Sequence, residues 1–330
     1  MISLKESEKS LLKEYKFIDL FCGIGGFHLT LESFGAECVF ASDVNKEANN
    51  VYKTNFGFSP QGDITKISSD SIPSHDILCG GFPCQAFSIS GKGMGFSDGK
   101  TGKLFFEINR ILKYHRPKVV FLENVANLEK HWGGYSLKHI LNALKSRGYV
   151  PFKQVLNAID FGIPQHRRRL YIVAFRQDLN INEFHFPKAL EIKKQLKDFL
   201  DNEVDEKYYI KQNYTIRKDV INAERDLKNP FIRVGEVGPG RQGERIYSIN
   251  GCATTLSSSS GGPGGRTGMY YINNRVRKLT PRECARLMGF PDEFKIAESD
   301  NQAYLQFGNS VVVDVLQYIV LQIISKIQGE

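Results

Sequence analysis

Short apolar runs of strand length recur along the first half of the chain, at residues 17–21, 38–43, 76–79, 119–122, 150–156 and 170–175. Between them the apolar positions change to helical spacing. Residues 27–34 read as a helix stopped near Gly35, and 46–56 as the next. Leu137, Ile140, Leu141 and Leu144 then recur at intervals of three and four before Gly148 supplies a stop. Strands alternating with helices predict an α/β fold of the doubly wound type, its mostly parallel sheet covered on both faces.

The rhythm is lost after about residue 190. A charged stretch of weak periodicity gives way there to a segment dense in glycine, serine and arginine, from Gly235 to Gly268. Residues 198–280 are therefore expected to form a smaller, loop-rich domain beside a large one spanning 1–197. A total of 330 residues, more than one typical domain, fits that division. Strong helical periodicity returns at Val312, Val315, Leu316, Ile319, Ile323 and Ile324. Gln317, Gln322 and Lys326 interrupt it with polar groups, which argues against a membrane span and for a helix, within 309–330, that docks back on the large domain.

Composition adds little to this picture. Apolar residues at 41% and charged residues at 24% are ordinary globular usage, so disorder and fibrous classes are excluded. A net charge of +8 is compatible with a polyanionic partner and equally with a merely basic enzyme. The first sixteen residues interleave Lys5, Lys9 and Lys13 with Glu6, Glu8 and Glu14 and hold no apolar core of a signal peptide, so a cytoplasmic location is expected. The six cysteines include no C-x-x-C pair and the histidines no ligand-like cluster, so no metal is expected, and the thiols should be reduced core residues. Cys84 is the exception.

Three features carry chemistry. Gly23-Ile24-Gly25-Gly26, between a strand and a helix, lets a ligand approach the backbone, and Asp43 ends the next strand at the distance usual for an acid that binds ribose hydroxyls. The loop lacks the full G-x-G-x-x-G spacing. By itself it leaves a nicotinamide cofactor and S-adenosylmethionine both open, and Asp43 open as a plain helix-entry carboxylate. Gly81-Phe82-Pro83-Cys84-Gln85 sets a thiol beside a fixed-φ proline just after a strand, where a nucleophile would sit. Glu123 follows the apolar run 119–122, so its carboxyl should emerge buried, with a raised affinity for a proton. A structural acid capping the following turn is the bland alternative.

In this order the features resemble the bacterial C5-cytosine DNA methyltransferases, over nearly the whole length. The resemblance implies S-adenosyl-L-methionine as cofactor and duplex DNA as partner. It implies a Cys84 thiolate that attacks cytosine C6, Glu123 as partner of N3, and Arg169 and its neighbour Arg167, in Gln165-His166-Arg167-Arg168-Arg169, as cations facing the target base. Arg168 remains as readily a solvated or phosphate-binding residue. The cofactor residues implied are Phe21, Gly23, Gly26, Asp43, Asp63, Ile64, Pro83, Leu104, Asn309 and Val311. A target base stacked in the duplex is out of reach, so it must be flipped out, and the glycine-punctuated stretch after Cys84 suits a loop closing over it, with Ser88 and Ser90 at DNA-touching positions.

Gly238-Pro239-Gly240-Arg241-Gln242-Gly243-Glu244-Arg245 and Thr254-Thr255-Leu256-Ser257-Ser258-Ser259-Ser260-Gly261-Gly262 resemble two recognition loops of one family member. That implies the target GCGC, with Gln242, Arg245, Ser257 and Ser259 toward DNA, although Ser259 stands where that member has tyrosine. The stretch 281–308 looks like an interdomain hinge. A monomer is expected, and a cognate restriction endonuclease, where one exists, would share the target site without having to bind the chain. Alternatives are a tRNA cytosine-5 methyltransferase, a nicotinamide-dependent oxidoreductase and a catalytically silent DNA-binding module. The thiol and the acid together argue against the last.

Overall fold

The structure, a computed structural model, describes residues 1–82, 103–190, 194–221, 223, 230–259 and 261–329. The chain folds as two compact units. One comprises Ile2–Leu156, Arg168–Lys188 and Leu316–Glu330, the other Met1, Asn157–Arg167 and Ala189–Val315.

The first unit is built on six strands: β1 (Lys16–Leu20), β2 (Glu37–Ser42), β3 (Ile77–Gly80), β4 (Val119–Val125), β5 (Tyr149–Asn157) and β6 (Arg168–Arg176). Their order is β2-β1-β3-β4-β6-β5. β1 runs parallel to β2 and to β3, and β3 to β4, while β6 is antiparallel to β4. The unalternated apolar runs explain this arrangement, because a parallel strand is covered on both faces. Val119 to Asn124 are all buried. Ile18, Leu20, Leu78, Val120 and Leu122 pack one face against the helical residues Ile108, Ile111, Leu112, Ile140 and Leu144.

Helices α1 (Gly26–Glu32), α2 (Lys46–Phe56), α3 (Lys103–His115) and α4 (Tyr135–Ser146) complete the layers. Asn45 caps α2 by accepting from the Ala48 N–H at 3.0 Å. His28 on α1 contacts the Tyr52 hydroxyl on α2 at 2.6 Å and stacks on Phe56 at 3.9 Å between ring centroids. The chain passes from β1 out to β2, then back to β3 on β1's other side. That reversal opens a crevice at the carboxyl ends of β1 and β3, where open α/β sheets bind ligands.

The second unit contains a sheet of its own: β7 (Tyr214–Ile216), β8 (Arg233–Val237), β9 (Arg245–Ser248), β10 (Met269–Ile272) and β11 (Arg275–Arg277), in the order β11-β10-β9-β8-β7. Val234, Ile246, Met269 and Val276 form its small core. The stretch read as a hinge carries two helices, α5 (Pro281–Arg286) and α6 (Asp300–Asn309). Thr280 and Glu283 close a capping box at the start of α5.

α7 (Val313–Ile327) buries Val315, Leu316, Ile319, Val320, Ile323 and Ile324. Residues Asp300–Ile327 are long and apolar enough to cross a membrane by composition, but they form two helices whose large apolar side chains are mostly inside the protein. Gln317, fully buried, donates to the Ser33 hydroxyl at 3.0 Å and accepts from the Ile2 N–H at 2.9 Å. α7 is a core helix.

Candidate active site

The carboxyl ends of β1 and β2 supply the first part of the site. Phe21 and Gly23 turn the chain with φ of +56° and +53°. A Cβ on Gly23 would stand in open space, whereas one on Gly25 would lie 2.3 Å from the Phe56 ring. The loop is thus closed toward the protein at Gly25 and open at Gly23, a cradle a ligand can enter. Asp43 binds the two turns together: its Oδ2 accepts from the Gly23 N–H at 2.9 Å and its Oδ1 from the Asn45 N–H at 2.8 Å. Each oxygen keeps a lone pair for a hydroxyl donor. Gly26 is buried as the first residue of α1.

Asp63 caps the short turn Ile64–Lys66 through the Thr65 N–H at 3.0 Å and hydroxyl at 2.8 Å, and those bonds hold its carboxyl below the usual range. Ile64 is buried beside it, and Leu104, on α3, is half-buried against the main core. This donor set, an open glycine turn with two carboxylates and an apolar wall, fits a nucleoside carrying ribose hydroxyls.

β3 and β4 supply the second part. Parallel register sets Gly80 opposite Leu122, which places Glu123 one residue further along, at the level of Gly81. Glu123 is 8% exposed as a residue, and a Cβ on Gly81 would lie 3.6 Å from its Oε2. Its Oε1 is 3.0 Å from Nε of Arg169, contributed by β6 across the antiparallel pair. Asn124, expected to shape the turn, donates to the Phe82 carbonyl at 2.8 Å. It thereby fixes the last described residue before Pro83-Cys84. Pro83, Cys84, Ser88 and Ser90 lie outside the described residues.

Among the described residues, Cys22, Cys38, Cys79, Cys252 and Cys284 form no disulfide. Burial pushes the thiols of Cys22, Cys79 and Cys284 well up and that of Cys38 up to about 12, so these four are thiols at neutral pH. Among the described residues no cluster of three His, Cys, Asp or Glu side chains is fit to hold a metal.

Arg167 and Arg169 differ in surroundings although two residues apart. Arg167 belongs to the second unit and is 2% exposed. Its guanidinium donates to the carbonyls of Leu256 at 2.9 Å, Gly308 at 3.0 Å and Ser310. Arg168 is exposed. Asn309 ends α6 on the surface and Val311 is buried after it, both in the second unit.

That unit also brings the two glycine-rich loops together. The Gly264 N–H donates to the Gly243 carbonyl at 2.9 Å, and a Cβ on Gly243 would meet the Gly261 carbonyl at 2.2 Å. Gln242, Arg245 and Ser259 are exposed there, and Ser257 is half-buried, its hydroxyl accepting from the Ser259 N–H at 3.2 Å. Gln165 has no role of its own in the sequence pattern. It is fully buried and bonded to Leu256 and Leu287, and only the spatial neighbourhood reveals it.

Comparison with known proteins gives this geometry its context. Residues 15–325 match the family model of the C-5 cytosine-specific DNA methylases. The chain is 50% identical to the type II methyltransferase M.HhaI of Haemophilus parahaemolyticus, across 98% of this chain and 97% of that one. It is 40% identical to the type II methyltransferase M.HpaII of Haemophilus parainfluenzae, across 98% and 92%. Among solved structures, the Dnmt2 methyltransferase of S. pombe superposes with a TM-score of 0.69 at 22% identity, covering 96% of this chain and 100% of that one, a likeness of fold. Enzymes of this family take their methyl group from S-adenosylmethionine. With the match covering nearly every residue, the chain belongs to the C-5 cytosine-specific DNA methylases.

Proposed function

We propose that this enzyme methylates C5 of a flipped cytosine within GCGC in duplex DNA, through a covalent bond between Cys84 and C6. The observation that carries the reading is the Glu123 carboxyl, buried, oriented by Arg169, and set beside Gly81, three residues before the thiol in the chain. S-Adenosylmethionine supplies an electrophilic methyl group. Phe21, Gly23, Gly26, Asp43, Asp63, Ile64 and Leu104 hold it, Asp43 through the ribose hydroxyls, with Pro83, Asn309 and Val311 carried over from the family's motifs.

Cytosine C5 is too weak a nucleophile to take that methyl directly. Addition of the Cys84 sulfur to C6 moves an electron pair through the ring toward N3, where Glu123 shares a proton, and leaves C5 with enamine character. After methylation, loss of the C5 proton and departure of the sulfur restore the ring and the thiol. Arg169 keeps the acid in place through the transfer. Ser88 and Ser90 contact DNA from the loop after the thiol, while Gln242, Arg245, Ser257 and Ser259 face the base pairs. An arginine reads guanine O6 and N7 bidentately, and the juxtaposed loops at Gly243 and Gly261 support a shared reading surface. The enzyme works as a cytoplasmic monomer, with a restriction endonuclease of the same target as its counterpart.

Two measurements test this. Wild type should form a covalent adduct with duplex DNA carrying 5-fluorocytosine, because fluorine blocks the elimination, and Cys84→Ala should form none while binding S-adenosylmethionine normally. Bisulfite mapping of a methylated plasmid, with a tRNA arm in parallel, should find modification confined to GCGC. Modification at another site would dismiss the target assignment, and methylation of tRNA alone would dismiss the substrate.

A further inference from the structure

The buried arginine and glutamine before β6 do something that the catalytic reading does not use. Gln165 accepts from the Leu256 N–H at 3.1 Å, and Arg167 donates to the Leu256 carbonyl at 2.9 Å, so one residue of the second glycine-rich loop has both of its backbone groups held. The other ends of these side chains are fixed too. Gln165 donates to the Leu287 carbonyl at 2.8 Å, and Arg167 to those of Gly308 and Ser310. Backbone bonds extend the seam: Ala253 N–H to the Pro164 carbonyl at 2.7 Å, and His166 N–H to the Ala253 carbonyl at 3.0 Å. α6 also presses on the loop at Gly308, where a Cβ would lie 2.3 Å from the Ser258 nitrogen. All of these residues belong to the second unit.

We propose that Gln165 and Arg167 are positioning residues for sequence recognition, setting the root of the 254–262 loop so that its exposed tip, at Ser259, meets the base pairs at a fixed height. The inference rests on the proposed reading that this loop faces DNA. Its physics is that of buried peptide groups. Gln165 and Arg167 are 0% and 2% exposed, so removing either leaves a Leu256 backbone group without a partner and out of reach of solvent, and the loop must shift to recover one. Hydrogen bonds to base edges do not survive such shifts, whereas contacts to the phosphate backbone do.

The test is the ratio of kcat/KM for methylation of a duplex holding the mapped target to that for a duplex with one base pair changed. Arg167→Met and Gln165→Leu should each lower the ratio at least about tenfold, within the range of one base pair's discrimination lost. Arg167→Lys, which keeps one donor and is the milder variant for folding, should fall in between. A purely structural role reduces the active fraction, affects both duplexes alike and leaves the ratio unchanged. An arginine acting by charge on the thiol gives a third pattern: Arg167→Met moves the pH profile of the single-turnover rate upward, Arg167→Lys restores it, and Gln165→Leu does nothing. Either pattern overturns the proposal. A wild type that methylates a sequence other than GCGC dismisses only the target assignment, since the ratio is taken against the site mapped. A wild type inactive on duplex DNA overturns both.

Discussion

Two glutamate–arginine pairs of similar length sit in opposite surroundings in this protein. Glu123 and Arg169 meet at 3.0 Å where β4 ends and β6 begins, with side chains 10% and 15% exposed, and Oε2 of the acid lies toward the Gly81 backbone. Glu283 and Arg277 meet at 2.7 Å, 0% and 1% exposed, and the acid is saturated. It accepts from both arginine Nη atoms, from the Thr280 N–H at 2.8 Å and from the Asp201 N–H at 2.9 Å. The first acid is oriented by its partner at the edge of the sheet and keeps some exposure. The second ties β11, the α5 cap and residue 201 into one knot. The lesson is that an ion pair's surroundings, more than its length, decide whether it serves chemistry or architecture.

That contrast can be broken most sharply at Glu123. Glu123→Gln should slow the single-turnover methyl transfer by about 10²- to 10⁴-fold, the span typical of a general acid–base group, with thermal stability close to wild type. A large drop in melting temperature would place it with Glu283 instead. Arg277→Met should show the reverse, a loss of about 3–5 kcal/mol of folding stability measured by denaturant titration, because it strands a buried carboxylate. Joining it with Glu283→Leu should recover most of that loss. If the double variant is as unstable as the single one, the knot's hydrogen bonds to Thr280 and Asp201 matter more than the charge.

The smallest effect concerns a third buried group, a histidine whose burial outweighs the charge beside it. His75 sits just before β3, bonded through Nδ1 to the Pro73 carbonyl at 2.8 Å and close to the His115 ring, and burial pushes its pKa down to about 4. His115 opposes its protonation and Asp76 favours it. Its folded pKa lies below the unfolded value near 6.5, so its contribution to stability is complete above that pH. It should be lost as pH falls from 6.5 to 4, by at most about 3 kcal/mol. His75→Gln should flatten the stability–pH curve in that window. An unchanged slope would assign the acid sensitivity to other groups.

Much of this was legible from residue patterns. β1, β3 and β4 announce themselves because strands covered on both faces need continuous apolar runs, and Glu123 could be placed at a carboxyl edge from Val119-Val120-Phe121-Leu122 alone. α3 was overlooked although Leu104, Phe105, Ile108, Ile111 and Leu112 recur at helical spacing, since the glycines just before it drew the whole stretch into one loop. The second sheet was invisible for a different reason. Its strands run three to five residues, too short for alternation to register. Arg167 and Arg169 look equivalent in sequence, and what separates them lies 89 and 141 residues away at Leu256 and Gly308, or across the sheet at Glu123. Gln165 carries no local signal at all.

The missing side chain at Gly308 has a consequence for anyone who wishes to re-address the enzyme. Because α6 accepts the backbone of Ser257 and Ser258 at that bare position, the loop behaves as a plug in a socket, with the root from Ala253 to Ser258 as its shank. Libraries that vary the exposed tip while leaving the shank and Gly308 untouched should yield folded enzymes with new targets. Grafts cut inside the shank should mostly yield enzymes that have lost their aim.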